Sequence, residues 1–156
     1  MGLFYAAFAV LPLVIILGFI SNNLALLWIF AELSTLFSVI LLVTLKAREN
    51  ITAALKYVFV TSTAMLFAFV GIIIIFALSR EVFTGGTLNW TELMASASAI
   101  PPRLYSFAFI FLFIGFAAKA GIVPFHTWLP TVYVRAPSVV AVMSGAGVNL
   151  VLYAIL

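Results

Sequence analysis

The chain has no cysteine, which excludes disulfides, thiolate metal sites and iron–sulfur ligation. Its one histidine cannot by itself build a haem pair or a zinc site. Charge is scarce: Asp, Glu, Lys and Arg together make up 7% of 156 residues, against about a quarter in a soluble domain. The excess of basic over acidic residues is only three. That suits lipid head groups and orientation signals, and falls short of the clustered basic face that binds nucleic acid. No nucleophile–base pair, phosphate loop or metal-ligand spacing occurs, and Gly85-Gly86 marks a turn rather than a nucleotide cradle. No catalytic chemistry, cofactor or metal is expected of the chain itself.

Hydrocarbon fills the rest: 67% of residues are hydrophobic and the mean hydropathy is +1.36. A bilayer span needs roughly 20 mostly apolar residues. Leu3 to Ile20, Leu24 to Leu45, Leu55 to Leu78, Leu104 to Val123 and Ser138 to Leu156 meet that need. The first segment lacks the basic start and the cleavage site of a signal peptide, so it is the first span. Ser21-Asn22-Asn23 is a tight turn and makes a hairpin of the first two. Lys46 to Asn50 is a short charged connection, and Arg80 to Arg103 is the long polar loop, with a short helix expected over Thr91 to Ala99.

Pro124 and Pro130 forbid a continuous helix from Pro124 to Pro137. The spacing predicts a helix that stops near Gly121 and restarts around Phe125. Unwound backbone at membrane depth survives only when buried in protein or lining a wet cavity, and broken helices in transporters sit beside binding sites. The expected architecture is an all-α polytopic membrane helix bundle: one domain over residues 1–156, about five spans, the fourth broken at Pro124. Lys46, Arg48, Lys56 and Arg135 fall on one side of such a bundle, and Arg80 and Arg103 on the other. The bias predicts a cytoplasmic N-terminus.

Two ionisable groups lie where lipid should be. Lys119 interrupts an apolar run from Phe107 to Phe125, and Glu32 lies in the middle of the second span, about 12 Å deep at 1.5 Å per residue. Each costs roughly 2.5–3.5 kcal/mol at a bilayer centre, and a contact at about 4 Å with an effective dielectric of about 20 returns roughly 4 kcal/mol. A Glu32–Lys119 pair is therefore expected across neighbouring helices. Ionisable residues at this depth commonly serve proton or ion relays. Thr35 and Ser38 extend a polar stripe from Glu32.

Each candidate also has a plainer role. Glu32 serves as protonated interhelical glue, and Lys119 snorkels if its span ends at Val123. Lys56, which shares a face with Thr63, is a relay residue or an interfacial anchor. His126 titrates near neutrality or hydrogen-bonds the broken backbone. Asn149 links a hydrated chain or bonds across helices. Ser144-Gly145-Ala146-Gly147 is a small-residue patch for close packing, and Trp90, Trp128 and Tyr133 are interface or packing aromatics.

The run Lys119-Ala-Gly-Ile-Val-Pro-Phe-His-Thr-Trp-Leu-Pro130, followed by Arg135-Ala-Pro137, resembles the signature of the antiporter-like subunits of respiratory complex I, membrane-bound energy-converting hydrogenases and Mrp-type sodium/proton antiporters. Phe30-Ala-Glu32-Leu-Ser-Thr and Ala54-Leu-Lys56-Tyr match earlier motifs of that family in the same order. The resemblance runs from about Leu24 onward. It implies one half of an inverted-repeat fold in which two five-helix repeats each carry a broken helix. It implies that Glu32 and Lys119 gate the movement of protons or Na+ by pairing and unpairing. Lys56 would stand beside the proton input and His126 just after the helix break.

Some positions depart from the family pattern. Asn149 stands where members carry a lysine or histidine bridging to the second repeat. Thr131 replaces an acidic residue, and Arg135 often has an acidic counterpart. The implied function is ion translocation within a multi-subunit membrane redox complex of a bacterial or archaeal cell membrane. The implied partners are lipid, other membrane subunits and a chain that supplies the missing inverted repeat; no nucleic acid is involved. The departures carry an alternative implication, a structural subunit of such a complex that has lost transport.

Overall fold

The computed structural model describes residues 2–44, 48–99, 101–136 and 138–156, with the backbone alone at residues 48, 49, 135, 138–140, 142 and 143. Pro137 and the side chains of Lys46, Arg48 and Arg135, which carry most of the orientation argument, lie outside the described part. Among the described residues, seven α-helices follow one another: α1 (Gly2–Ile20), α2 (Leu24–Val43), α3 (Arg48–Ser79), α4 (Trp90–Ser96), α5 (Pro102–Ala120), α6 (Leu129–Arg135) and α7 (Ser138–Ile155). Among the described residues, α1, α2, α3 and α5 are long and apolar enough to cross a membrane. The fifth expected span is α7, whose described apolar stretch is the shorter Ser144–Ile155.

The hairpin between α1 and α2 forms because Asn23 caps α2. Its side-chain oxygen accepts from the backbone N–H groups of Ala25 at 3.0 Å and Leu26 at 3.2 Å, two of the donors that every helix start leaves open. The long loop folds back onto this turn. Leu24 N–H donates to Leu88 C=O at 2.9 Å, Trp90 N–H donates to Asn22 C=O at 2.8 Å, and the Asn23 amide donates to Asn89 Oδ1 at 3.1 Å. One end of the bundle is thereby stitched shut, with α4 beside α5.

Helix α3 buries Ala54, Tyr57, Thr61, Met65, Ala68, Ile72 and Ile75, a face that returns every three or four residues. It packs most extensively on α5. A Cβ on Gly115 would fall 2.5 Å from Ala68 Cβ and 2.6 Å from Ala68 N, and one on Gly71 would fall 2.9 Å from Leu112 N. The two backbones touch, as small residues permit between membrane helices. The small-residue patch expected for close packing, Ser144 to Gly147, is looser than the α3–α5 contact. A Cβ on Gly145 would meet only the Tyr133 hydroxyl at 3.5 Å, and one on Gly147 would meet Ser34 Oγ at 3.4 Å. Small residues matter where a neighbouring backbone approaches, and the patch on α7 faces side chains instead.

Helix α5 stops at Gly121, which takes the left-handed conformation (φ 73°) and returns its N–H to the Ala117 and Ala118 carbonyls. Pro124 lies in the unwound stretch that follows, and one 3₁₀ turn, His126–Trp128, leads into α6. Pro130, expected to help break the helix, sits in the first turn of α6, where its missing N–H costs nothing. Trp128 ties the break together: its indole N–H donates to Ala118 C=O at 2.9 Å, and its ring lies 4.6 Å from that of Tyr57 on α3.

Two outcomes follow from this packing. Gly115→Ala should cost about 1–3 kcal/mol by overpacking, read as a lower unfolding midpoint in detergent, while Gly2→Ala, which meets nothing within 4 Å, should leave the midpoint unchanged. Trp128→Phe keeps a ring on Tyr57 but removes the indole bond to the Ala118 carbonyl, which still accepts from Gly121 N–H, a loss of about 0.5–1.5 kcal/mol. It should appear as faster proteolytic cleavage between Gly121 and Trp128, with an equal cleavage rate arguing against the tie.

Candidate functional site

The polar stripe on α2 points inward. Ser34, Thr35 and Ser38 are all buried. Thr35 lies eleven residues past Leu24, roughly 16 Å along the helix at 1.5 Å per residue, about half-way through a hydrocarbon core of about 30 Å. Ser34 and Thr35 both return a bond to the Ala31 carbonyl, at 2.6 Å and 3.5 Å, and Thr61 on α3 does the same to Tyr57 C=O at 2.8 Å. Such back-bonding satisfies hydroxyls inside a helix. Ser144 on α7 donates to Ser38 Oγ at 3.3 Å.

Lys119 occupies the last turn of α5, where the helix dipole favours a cation. Its side chain is 2% exposed and runs inward rather than out to the interface. Its ammonium donates to Thr35 Oγ1, its hydrogen-bond partner among the described residues. Glu32 lies one turn back along α2. Its Oε2 accepts from Ser62 Oγ of α3 at 3.0 Å, and its Oε1 is buried with no hydrogen-bond partner among the described residues. The expected direct Glu32–Lys119 bond is therefore not formed. Thr35 holds the ammonium and Ser62 holds the carboxylate, and the two charges remain within coulombic range of one another.

Tyr57 completes the cluster. It is buried with its hydroxyl within reach of Thr35 and Ser38, while its ring lies tilted against that of Trp128 at 4.6 Å. The site thus draws on four elements: Glu32, Thr35 and Ser38 from α2, Tyr57 and Ser62 from α3, Lys119 from α5 and Ser144 from α7. One carboxylate and one amine are each held by a hydroxyl, Ser62 on Glu32 and Thr35 on Lys119, and a hydroxyl can both donate and accept. The arrangement can hold a proton at either end and offers polar stations between them.

The other candidates lie apart. Lys56, His126 and Asn149 are exposed on the bundle surface, and Thr63 shares the exposed face of Lys56. Ser62, Thr61 and Tyr57 escaped the sequence reading. The signal for them is Thr61-Ser62-Thr63, three hydroxyls in the middle of an apolar span, one turn beyond Tyr57.

Comparison with known proteins gives the same picture. The family described as NADH:quinone oxidoreductase/Mrp antiporter, TM, matches residues 21–156. A hydrogenase-4 component F homolog of Methylacidiphilum infernorum is 32% identical over 143 residues, 90% of this chain and 30% of the relative. An NADH-quinone oxidoreductase subunit N of Herminiimonas arsenicoxydans is 32% identical over 140 residues, 86% of this chain and 27% of the relative. Among solved structures, a chain of the membrane-bound sulfane sulfur reductase, an archaeal respiratory membrane complex, superposes with a TM-score of 0.82 at 26% identity, covering 93% of this chain and 29% of that one. The chain spans less than a third of the length of each of these relatives. The all-α membrane bundle, the broken fourth helix and the match over residues 21–156 place the chain in the NADH:quinone oxidoreductase/Mrp antiporter membrane family.

Proposed function

We propose that this chain moves protons or Na+ across a membrane as part of a multi-subunit redox complex, with Glu32 and Lys119 as a switchable charge pair. The observation that carries this reading is the buried ammonium of Lys119, bonded to Thr35 one turn from a carboxylate whose second oxygen has no partner among the described residues. A structural lysine would snorkel, and a structural ion pair would be closed. When the two groups meet, an attraction of roughly 4 kcal/mol at about 4 Å and effective dielectric about 20 holds the proton on the amine. When they part, that attraction is withdrawn and the proton becomes transferable along nearby hydroxyls and water. A redox-driven shift in a neighbouring subunit would set the distance.

The outward-facing groups support a covered rather than a lipid-bathed surface. Polar side chains facing hydrocarbon are expensive, yet Asn149 is exposed on α7 beside the buried Leu150 and Val151. We assign that face to a second, inverted five-helix repeat, in line with the greater length of the relatives. Residues 1–156 form the first repeat in this scheme. Lys56 stands on the input side and His126 on the path past the helix break. The setting is a bacterial or archaeal cell membrane, with the N-terminus in the cytoplasm by the Lys/Arg bias. Asn149 favours a second reading, a structural subunit without transport, since an amide cannot take up a proton as a base.

Ion flux per assembled complex, measured in proteoliposomes, separates the two. Lys119→Ala and Glu32→Gln should each lower flux at least about tenfold, as loss of a proton-transfer group does, with assembly intact. Undiminished flux in both would leave the structural reading.

A further inference from the structure

We infer that Thr35 and Ser62 are positioning residues that hold the Glu32–Lys119 pair open, so that the pair closes by a movement of the lysine side chain along α2 rather than by a shift of helices. The inference rests on the charge-pair reading above and goes beyond it by assigning the open state to two hydroxyls.

Glu32 and Thr35 are three residues apart on one helix, which puts their Cβ atoms about 5–6 Å apart on a common face. The Lys119 ammonium rests on Thr35, and Glu32 Oε1, one turn back on that face, has no hydrogen-bond partner among the described residues. A lysine carries its charge on a flexible four-carbon stem, long enough to step from one to the other while α5 stays in place. That matters because α5 is not free to slide. Gly115 is in backbone contact with Ala68, and the Trp128 indole pins the Ala118 carbonyl next to Lys119.

Each hydroxyl suits its task. Thr35 is fully buried (0% exposed) and its own proton is directed at the Ala31 carbonyl, so its lone pairs are left for the ammonium. Ser62 donates to Oε2 alone, which orients the carboxylate and leaves one oxygen to receive the lysine. A bond from an ammonium to a carboxylate is roughly twice as strong as one to a neutral acceptor. Without Thr35 the lysine would have no competing station and would stay on Glu32.

The test uses Thr35→Val, which keeps the shape and removes the acceptor, alongside Thr35→Ser, which keeps the acceptor. Flux per assembled complex should fall about tenfold in Thr35→Val, the order of one hydrogen bond, and return in Thr35→Ser. Infrared difference spectra should show the Glu32 carboxylate stretch, identified by its loss in Glu32→Gln, moved to an ion-paired position in Thr35→Val. Ser62→Ala should move the same band. Should Thr35→Val not assemble, Thr35→Ala carries the same expectation. Full flux and an unmoved band in Thr35→Val, with Lys119→Ala and Glu32→Gln inactive, overturn the hydroxyl clamp and leave the charge pair standing. Equal losses in Thr35→Val and Thr35→Ser also overturn it, because packing and not the hydroxyl is then at fault. Full flux in Lys119→Ala and Glu32→Gln removes the charge-pair reading and this inference together.

Discussion

An ammonium inside hydrocarbon has to be met by the protein, and the local structure around Lys119 is arranged to meet it. The helix that carries it ends one residue later, so its last carbonyls and the negative end of the helix dipole lie beside the charge. Gly121 turns the chain into the left-handed conformation and lets the following segment fold back. Trp128 then fills the space and satisfies Ala118. The hydroxyl of Thr35 supplies the acceptor. Break, cap, aromatic and hydroxyl all answer one desolvation problem. In a continuous α5 the carbonyls beside Lys119 would already be consumed by the next turn.

Much of this was legible in the amino-acid sequence. Apolar runs of the right length marked the spans, the Ser-Asn-Asn turn marked the hairpin, and the Gly121 to Pro124 interval marked the break. Lone charges singled out Glu32 and Lys119 because composition made them costly, and the structure brings both to one buried cluster without the expected direct bond. What could not be read was the axial and rotational relation between helices. Spacing along α2 puts Glu32, Thr35 and Ser38 on one face, but which turn of that face meets Lys119 depends on where α5 stops and how closely Gly115 lets it approach α3. An offset of one turn turns an expected carboxylate contact into a threonine contact. Pro130 was misjudged for a related reason. A proline in a membrane segment reads as a breaker until the preceding break is placed, after which it is a helix starter.

The exposed positions follow a second logic. A five-helix bundle this thin buries less than half of its membrane-spanning segments, and exposed aromatic and aliphatic side chains on α1, α3 and α5 need nothing more than lipid. Asn149 does, since it is exposed on α7 next to the buried, apolar Leu150 and Val151. Helix α1, which precedes the family match, closes the opposite side. It packs on α2, and Gly18 receives the buried Leu150 of α7, where any Cβ would fall 2.6 Å from that side chain.

The use of hydroxyls rather than further charges at the centre also has a physical basis. A carboxylate at position 35 would bind Lys119 so strongly that the pair at Glu32 could not compete, and an alanine would leave the amine no second station. A hydroxyl lies between these limits: it offers a bond weaker than a carboxylate's but far better than none. The difference between the two stations then stays small enough for a neighbouring movement, or a change in the protonation of Glu32, to reverse it. A bistable element needs two states separated by only a few kcal/mol. With Ser62 holding one oxygen of the acid and Thr35 holding the amine, the buried centre of this bundle is built closer to such a balance than to a permanent salt bridge.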